Sequence, residues 1–539
     1  MKSSTVLMLL LVLLSARAQA AEELEQILEN PGEPKSARPV AMPPKAREPV
    51  AEWLNKQLRK PKAEQNLFIR HLEVGAWDKA LLQFGPAFEG TAFQKTANGR
   101  ALFALLHVKA GLPVTGLELL FRLDKPGQVD EAIRKSQRES LPESHWSWSL
   151  AQVQWRRDFT AIFPASTEAR LREVAIGSVT DRKALSKLYS TLPADSSARS
   201  LVAWQLVAAL GADNQVEEAA KILAPLMKAK TPPVSQELMD LTAARLLFQR
   251  GQFSSAIKYY EKVGKDSEYW TDAQEETAWA YIRKGEPENA LGVSQSLVTP
   301  GMAEQGRAES FFVHTLAQLK ICDYSGVLRS LEAFPKIFKP RSETLARLST
   351  SAGLPEIKKA VGQMMASAQV NRAALAAEAA HLPRLVTRDR RLLEYVQAGK
   401  GLSSEAQAAD LVYAKSLALT GLQGYFDKLR QTSAQRAQKA VSAAENRVRE
   451  LAVRENAEIK AVLRKLHIIE AEVIQQISVA DRVVDKTRAV AIQKKGVTGA
   501  KGRDTVEFPA EEEVWFDEIG NYRVNVKKAC HAQAKGKTT

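Results

Sequence analysis

The chain has 539 residues, 45 % of them hydrophobic and 26 % charged, and its 76 Lys and Arg outnumber 62 Asp and Glu for a formal charge of +14. That balance excludes a largely disordered chain, and the length exceeds what one hydrophobic core organises. Two cysteines exclude a disulfide-rich scaffold and a four-cysteine zinc site.

Lys2, the apolar run Val6 to Leu14 and the Ala18-Gln19-Ala20 site make residues 1–20 a predicted signal peptide, cleaved after Ala20. The run is short for a bilayer span and no second one follows, so the mature chain is expected in the periplasm or secreted, with no transmembrane span. Loss of Lys2 and Arg17 lowers the charge from +14 to +12. After export, the polyanions within reach are lipid phosphates, envelope polymers and acidic proteins. The basic residues are scattered and form no recognition helix, so no nucleic-acid partner is expected. Residues 21–50 read as a proline-rich leader, extended because proline fixes φ and removes a donor.

From 51 to 340 the pattern is helical. Four segments repeat as a helix, a turn and a second helix opening on a small residue: Ala219, Ala256, Ala290 and Val327, at steps of 37, 34 and 37. Two more, at Gly75–Ala80 and Gly111–Gly116, lie 36 apart. Gly251 and Gly285 supply the left-handed residue that ends the first helix, with Asn214 and Cys322 in its place elsewhere. The unit from Glu237 to Trp270, with Ala244, Gly251, Phe253, Ala256 and Tyr260, resembles a tetratricopeptide repeat (TPR), and the next matches with Ala278, Tyr281, Gly285 and Ala290. The resemblance covers about 60–130 and 200–340. It implies an all-α, TPR-like solenoid of helical hairpins. The stretch from His145 to Leu192, with Trp146, Trp148 and Trp155, is expected to continue the hairpins.

Residues 341–495 read as a helical region with a coiled coil. Ile459, Val462, Leu466, Ile469, Val473, Gln476, Ala480 and Val483 form a heptad seam, extended upstream through Val441, Val448 and Ala452. About 70 residues would build a rod of roughly 100 Å. Its seam could pair with the preceding helical region, with a second copy as a homodimer, or with a partner. Residues 496–539 form a basic loop, a β-hairpin and a tail: Val514 and Phe516 alternate with Tyr522, Val524 and Val526 around Glu518–Asn521. The stretch from Glu511 to Tyr522 resembles C-terminal segments of exported TPR proteins in gliding-motility envelope complexes.

Chemistry is sparse. HExxH, GxSxG, Walker A and GxGxxG are absent from the sequence, so no enzyme, catalytic residue, cofactor or metal site is expected. His71 and His107 sit at equivalent first-helix positions and read as packing residues. Glu217-Glu218, Glu275-Glu276 and Glu511–Glu513 read as surface runs. Soluble lytic transglycosylases also place a helical superhelix before their catalytic domain, but a rod and hairpin leave no such domain here. Cys322 and Cys530 are candidates for one disulfide in an oxidising compartment, the alternatives being free thiols or an intermolecular bond.

The TPR resemblance implies a concave groove lined by first helices, which places Trp204, Arg245, Phe248, Trp279, Arg283, Phe312 and Lys320 as partner-binding residues. Aromatic area with Arg donors suits an extended peptide bearing acidic groups or a terminal carboxylate. The function expected is a non-enzymatic scaffold for protein–protein interaction in the bacterial cell envelope, within a motility or outer-membrane-associated complex. The alternative is a basic module that binds cell wall or lipid phosphates.

Overall fold

The structure, a computed structural model, describes residues 48–140, 181–194, 197–299, 302, 306–367, 375, 381–418, 421–480, 491–494 and 519–525. The signal peptide, most of the leader, Trp146, Trp148, Trp155, Glu511–Glu513, Val514, Phe516, Val526 and Cys530 lie outside them.

The described residues are mostly α-helical. In chain order come α1 (Pro49–Gln57), α2 (Ala63–Glu73), α3 (Trp77–Phe88), α4 (Ala97–Lys109), α5 (Pro113–Phe121) and α6 (Glu131–Ser140). There follow α7 (Arg182–Thr191), α8 (Ser197–Ala212), α9 (Val216–Leu226), α10 (Gln236–Gln249), α11 (Phe253–Tyr260) and α12 (Trp270–Lys284). The last are α13 (Pro287–Val298), α14 (Ala308–Lys320), α15 (Tyr324–Leu348), α16 (Leu354–Ala366), α17 (Arg390–Ser416) and α18 (Gln423–Ala480).

Six helix pairs turn at the expected positions. Gly75, Gly111, Gly251 and Gly285 have φ between 71° and 87°, and the two substitutes, Asn214 and Cys322, adopt the same left-handed conformation at 58° and 60°. The conformation ends each first helix, because its amide turns back to the carbonyls of the last turn. Beyond each turn the small residue is buried: Ala80, Ala219, Ala256 and Ala290 are sealed between helices, as is Val327. At Gly116 a Cβ would come within 2.5 Å of Val108 Cγ2 and 2.7 Å of the Ala104 carbonyl, so only glycine lets α5 cross α4 this closely. Side-chain caps start several helices, with Thr96, Asp181, Ser235, Asp323 and Asp389 accepting from the backbone N–H three residues on.

Two boundaries differ from the sequence reading. The first helix begins at Pro49, inside the stretch read as leader, and Val50 is fully buried. The division at 340 falls inside α15, which runs 25 residues through Pro335 and Pro340.

The long helix is 58 residues, about 87 Å at 1.5 Å per residue. Its seam is covered by its own chain. Val448, Leu451, Ile459, Val462, Leu466, Ile469 and Val473 share one core with Phe311 of α14 and Phe334 and Phe338 of α15. At its other end Phe426 and Leu429 join the core of α2 to α5. Helix α17 packs along it, and Leu402, Ala437 and Val114 form a bridge between these two cores. Gln476, read as a seam residue, is exposed and donates to Glu472.

The one sheet among the described residues corrects the end of the region read as helical. Ala491–Lys494 (β1), read as the end of the long helix, is a strand, and it pairs antiparallel with Tyr522–Asn525 (β2). Strand β2 lies on α13. A Cβ on Gly292 would meet the Tyr522 carbonyl oxygen at 2.7 Å, the Gly520 N–H donates to Ser296 Oγ at 2.6 Å, and Ile519 enters the core beside Trp270 and Tyr260.

Candidate functional site

The first helices α10 and α12 present one face each to a common cavity of about 550 Å³. Arg245, Phe248 and Gln249 follow at i, i+3 and i+4 on α10, while Glu276, Trp279 and Arg283 follow at i, i+3 and i+7 on α12. Four of the seven residues expected in a groove, Arg245, Phe248, Trp279 and Arg283, therefore line one cavity. Phe312 extends it onto α14, its ring 5.8 Å from that of Trp279, and Lys465 of the long helix stands 4.7 Å above the Phe312 ring. Trp204 and Lys320 are not among the lining residues. Trp204 is half-buried among Tyr189, Ile222 and Met227, and Lys320 is exposed at the end of α14.

The electrostatics of the cavity turn on Glu276. It accepts from Arg245 through Nε at 2.9 and 3.0 Å and through Nη2 at 2.6 Å, a bidentate pair. Burial works against the Arg245 charge, but Glu276 outweighs it and the guanidinium pKa is raised. Burial first, then the Glu276 charge and its hydrogen bond, push the Tyr260 hydroxyl far above the usual tyrosine range. Among the described residues, the lining cation without an ion pair is Arg283, exposed and 5.9 Å from the Phe253 ring. Sequence reasoning missed Glu276 and Tyr260. The signal was present in the seven-residue step from Glu276 to Arg283, which puts both on one helical face.

Glu275 and Glu276 are not a surface run. Glu275 is only 3 % exposed and accepts from Ser310 Oγ at 2.7 Å. Arg307 lies 3.3 Å from it, 3.6 Å from Asp272 and 3.1 Å from Glu458 of the long helix. Arg388 pairs with Asp272 at 2.7 Å, and Arg341 with Glu455 at 2.8 Å. Burial pushes Glu275 up to about 7, against the pull of Arg307 and Ser310. Burial alone would raise Asp272 too, but Arg388 and Arg307 outweigh it and hold it low. This cluster fastens α12 and α14 to the long helix, and its charges are spent on one another.

His71 and His107 occupy different settings. His71 is half-buried, with its pKa lowered by burial and by Lys79. His107 is fully buried: its Nδ1 lies 2.8 Å from the Phe103 carbonyl, and its Nε2 2.8 Å from the Tyr425 hydroxyl. That arrangement fits Nδ1 donating and Nε2 accepting, and burial lowers the ring's pKa to about 4. Among the described residues no three His, Cys, Asp or Glu side chains gather as metal ligands. Cys322 is disulfide-bonded, and Cys530 is the chain's other cysteine.

No protein-family model matches the chain, and no curated protein or solved structure shows significant similarity to it. Among the described residues no helix is long and apolar enough to cross a membrane.

Proposed function

We propose that the chain is a non-enzymatic, TPR-like scaffold of the bacterial envelope, exported by its N-terminal signal, whose α10–α12 groove seats an extended protein segment carrying a carboxylate. The repeated left-handed turns and sealed small residues support the repeat reading. The observation that carries the binding reading is the convergence of Phe248, Trp279 and unspent Arg283 in one cavity where Arg245 is already neutralised by Glu276. Aromatic walls beside one available guanidinium suit an aromatic or aliphatic side chain next to an acidic group or chain terminus. The same neutralisation favours a peptide over a polyanionic polymer, because a cell-wall or lipid-phosphate site would keep several cations unpaired. We place the partner within an envelope assembly of the motility or outer-membrane kind, as the tail's resemblance implies.

Fluorescence anisotropy with peptides ending in a free carboxylate or in an amide tests this. Carboxylate peptides should bind at least tenfold tighter, and Arg283→Glu or Trp279→Ala should remove the preference with the helical circular dichroism unchanged. Equal affinity for both peptide sets, or binding indifferent to both substitutions, overturns the reading.

A further inference from the structure

A second cavity lies far from this groove in the sequence, where the start of the long helix closes over α3, α4 and α5. Its volume is about 560 Å³, within the range of small-molecule sites, about 300–1,000 Å³. Phe84 and Phe103 stack at 5.0 Å between ring centres, and Tyr425 continues the wall 5.8 Å from Phe103. Leu119 of α5 and Leu422, just ahead of α18, add aliphatic surface. Gly85 has no side chain, and a Cβ there would come within 3.2 Å of Leu422 Cδ2.

The polar groups of the lining are mostly committed. The Tyr425 hydroxyl is engaged by His107, Gln94 Nε2 donates to the Gly85 carbonyl at 3.3 Å, and Arg100 pairs with Asp124 at 3.1 Å. Arg122, exposed at the C-terminal end of α5, has no side-chain hydrogen bond or ion pair among the described residues. The cavity therefore offers an apolar body and one available cation. It lacks the rows of free donors and acceptors that an extended peptide backbone needs.

We propose that this cavity binds a single-chain amphiphile with an anionic head, the acyl chain against Phe84, Phe103 and Tyr425 and the head on Arg122. Burial of methylenes supplies the driving force, and the guanidinium selects the sign of the head group. The site stands apart from the α10–α12 groove and does not depend on it.

Titration calorimetry on the full chain tests it with dodecanoate, lysophosphatidylglycerol and dodecyltrimethylammonium, each below its critical micelle concentration. Dodecanoate, lysophosphatidylglycerol or both should bind saturably at one per chain, which identifies the source as a free fatty acid or a lysophospholipid. The cationic amphiphile should bind at least tenfold more weakly. Arg122→Glu should weaken anion binding at least tenfold, and Leu119→Trp, which fills the cavity, should abolish it. Arg122 is exposed, so its variant reads the site even if the tryptophan unfolds the chain. Absence of saturable binding by both anionic probes, equal binding of the cation, or indifference to Arg122→Glu overturns the proposal.

Discussion

At the scale of single residues, the left-handed turn positions and the buried titratable groups set the sharpest expectations. Asn214 holds φ at 58°, a conformation that branched side chains tolerate poorly. Asn214→Val should cost about 1–2 kcal/mol in a thermal melt, whereas Asn214→Gly should be close to neutral. Glu275 and His107 pull stability in opposite directions with pH. The Glu275 pKa is raised from 4.5 to about 7 on folding, so its contribution is fully present below 4.5 and is lost as pH rises through 7. Glu275→Gln should remove about 3 kcal/mol of that slope in urea unfolding measured at pH 4.5 and 7.5. The His107 pKa is depressed from 6.5 to about 4, so its contribution is present above 6.5 and lost as pH falls through 4. His107→Gln should flatten the acid limb over that window, and an unchanged limb would show that the ring is not the titrating group. The turn glycines and small crossing residues were legible in the sequence because both requirements are local. The ionic partner of Glu275 was not, since Arg307 lies 32 residues on, and Glu458, which Arg307 also pairs with, is farther still.

At the scale of elements, Glu405 shows how the helical region and the hairpins fit together. This buried carboxylate of α17 accepts from the Val114 and Thr115 N–H groups at 2.8 and 2.9 Å and from the Thr115 hydroxyl at 2.6 Å, closing the N-terminus of α5. Its negative charge also meets the positive end of that helix. Glu405→Ala strands those donors and should destabilise by about 1–3 kcal/mol in chemical denaturation, with Glu405→Gln recovering part of the loss. Such a cap joins residues some 290 positions apart, and no pattern in the sequence announces it. The end of the helical region was misread for a related reason. Ala491–Lys494 continues an apolar helical pattern, yet its hydrogen bonds go to a strand reached only across residues 495–521. Two strands alone are marginal, and β2 accordingly lies against α13. Gly292→Ala should loosen that docking, raising amide exchange at Tyr522–Asn525 while leaving α10 unchanged.

For the whole molecule, the long helix decides what kind of object the chain is. The heptad seam was legible, but its partner was not, because a period of 3.5 states which face is apolar and not what covers it. The cover is α17, the last hairpin and α16, inside the same chain. Val462→Asp should therefore lower the melting temperature by several degrees and leave the sedimentation mass unchanged. A fall in mass would mean that a second copy shares the seam.

A stack of helical hairpins is ordinarily a spring, since each unit touches only its neighbours and small rotations add along the array. Here α18 reaches from the core of α2 to α5 to the core it shares with the last hairpin. If the hairpins between stack as proposed, a helix anchored at both ends would limit how far their rotations add, and with them the spacing of α10 and α12. On the proposed reading, a partner entering the α10–α12 groove would meet a jaw of set width, and prising that jaw wider would mean stretching a beam anchored at both ends.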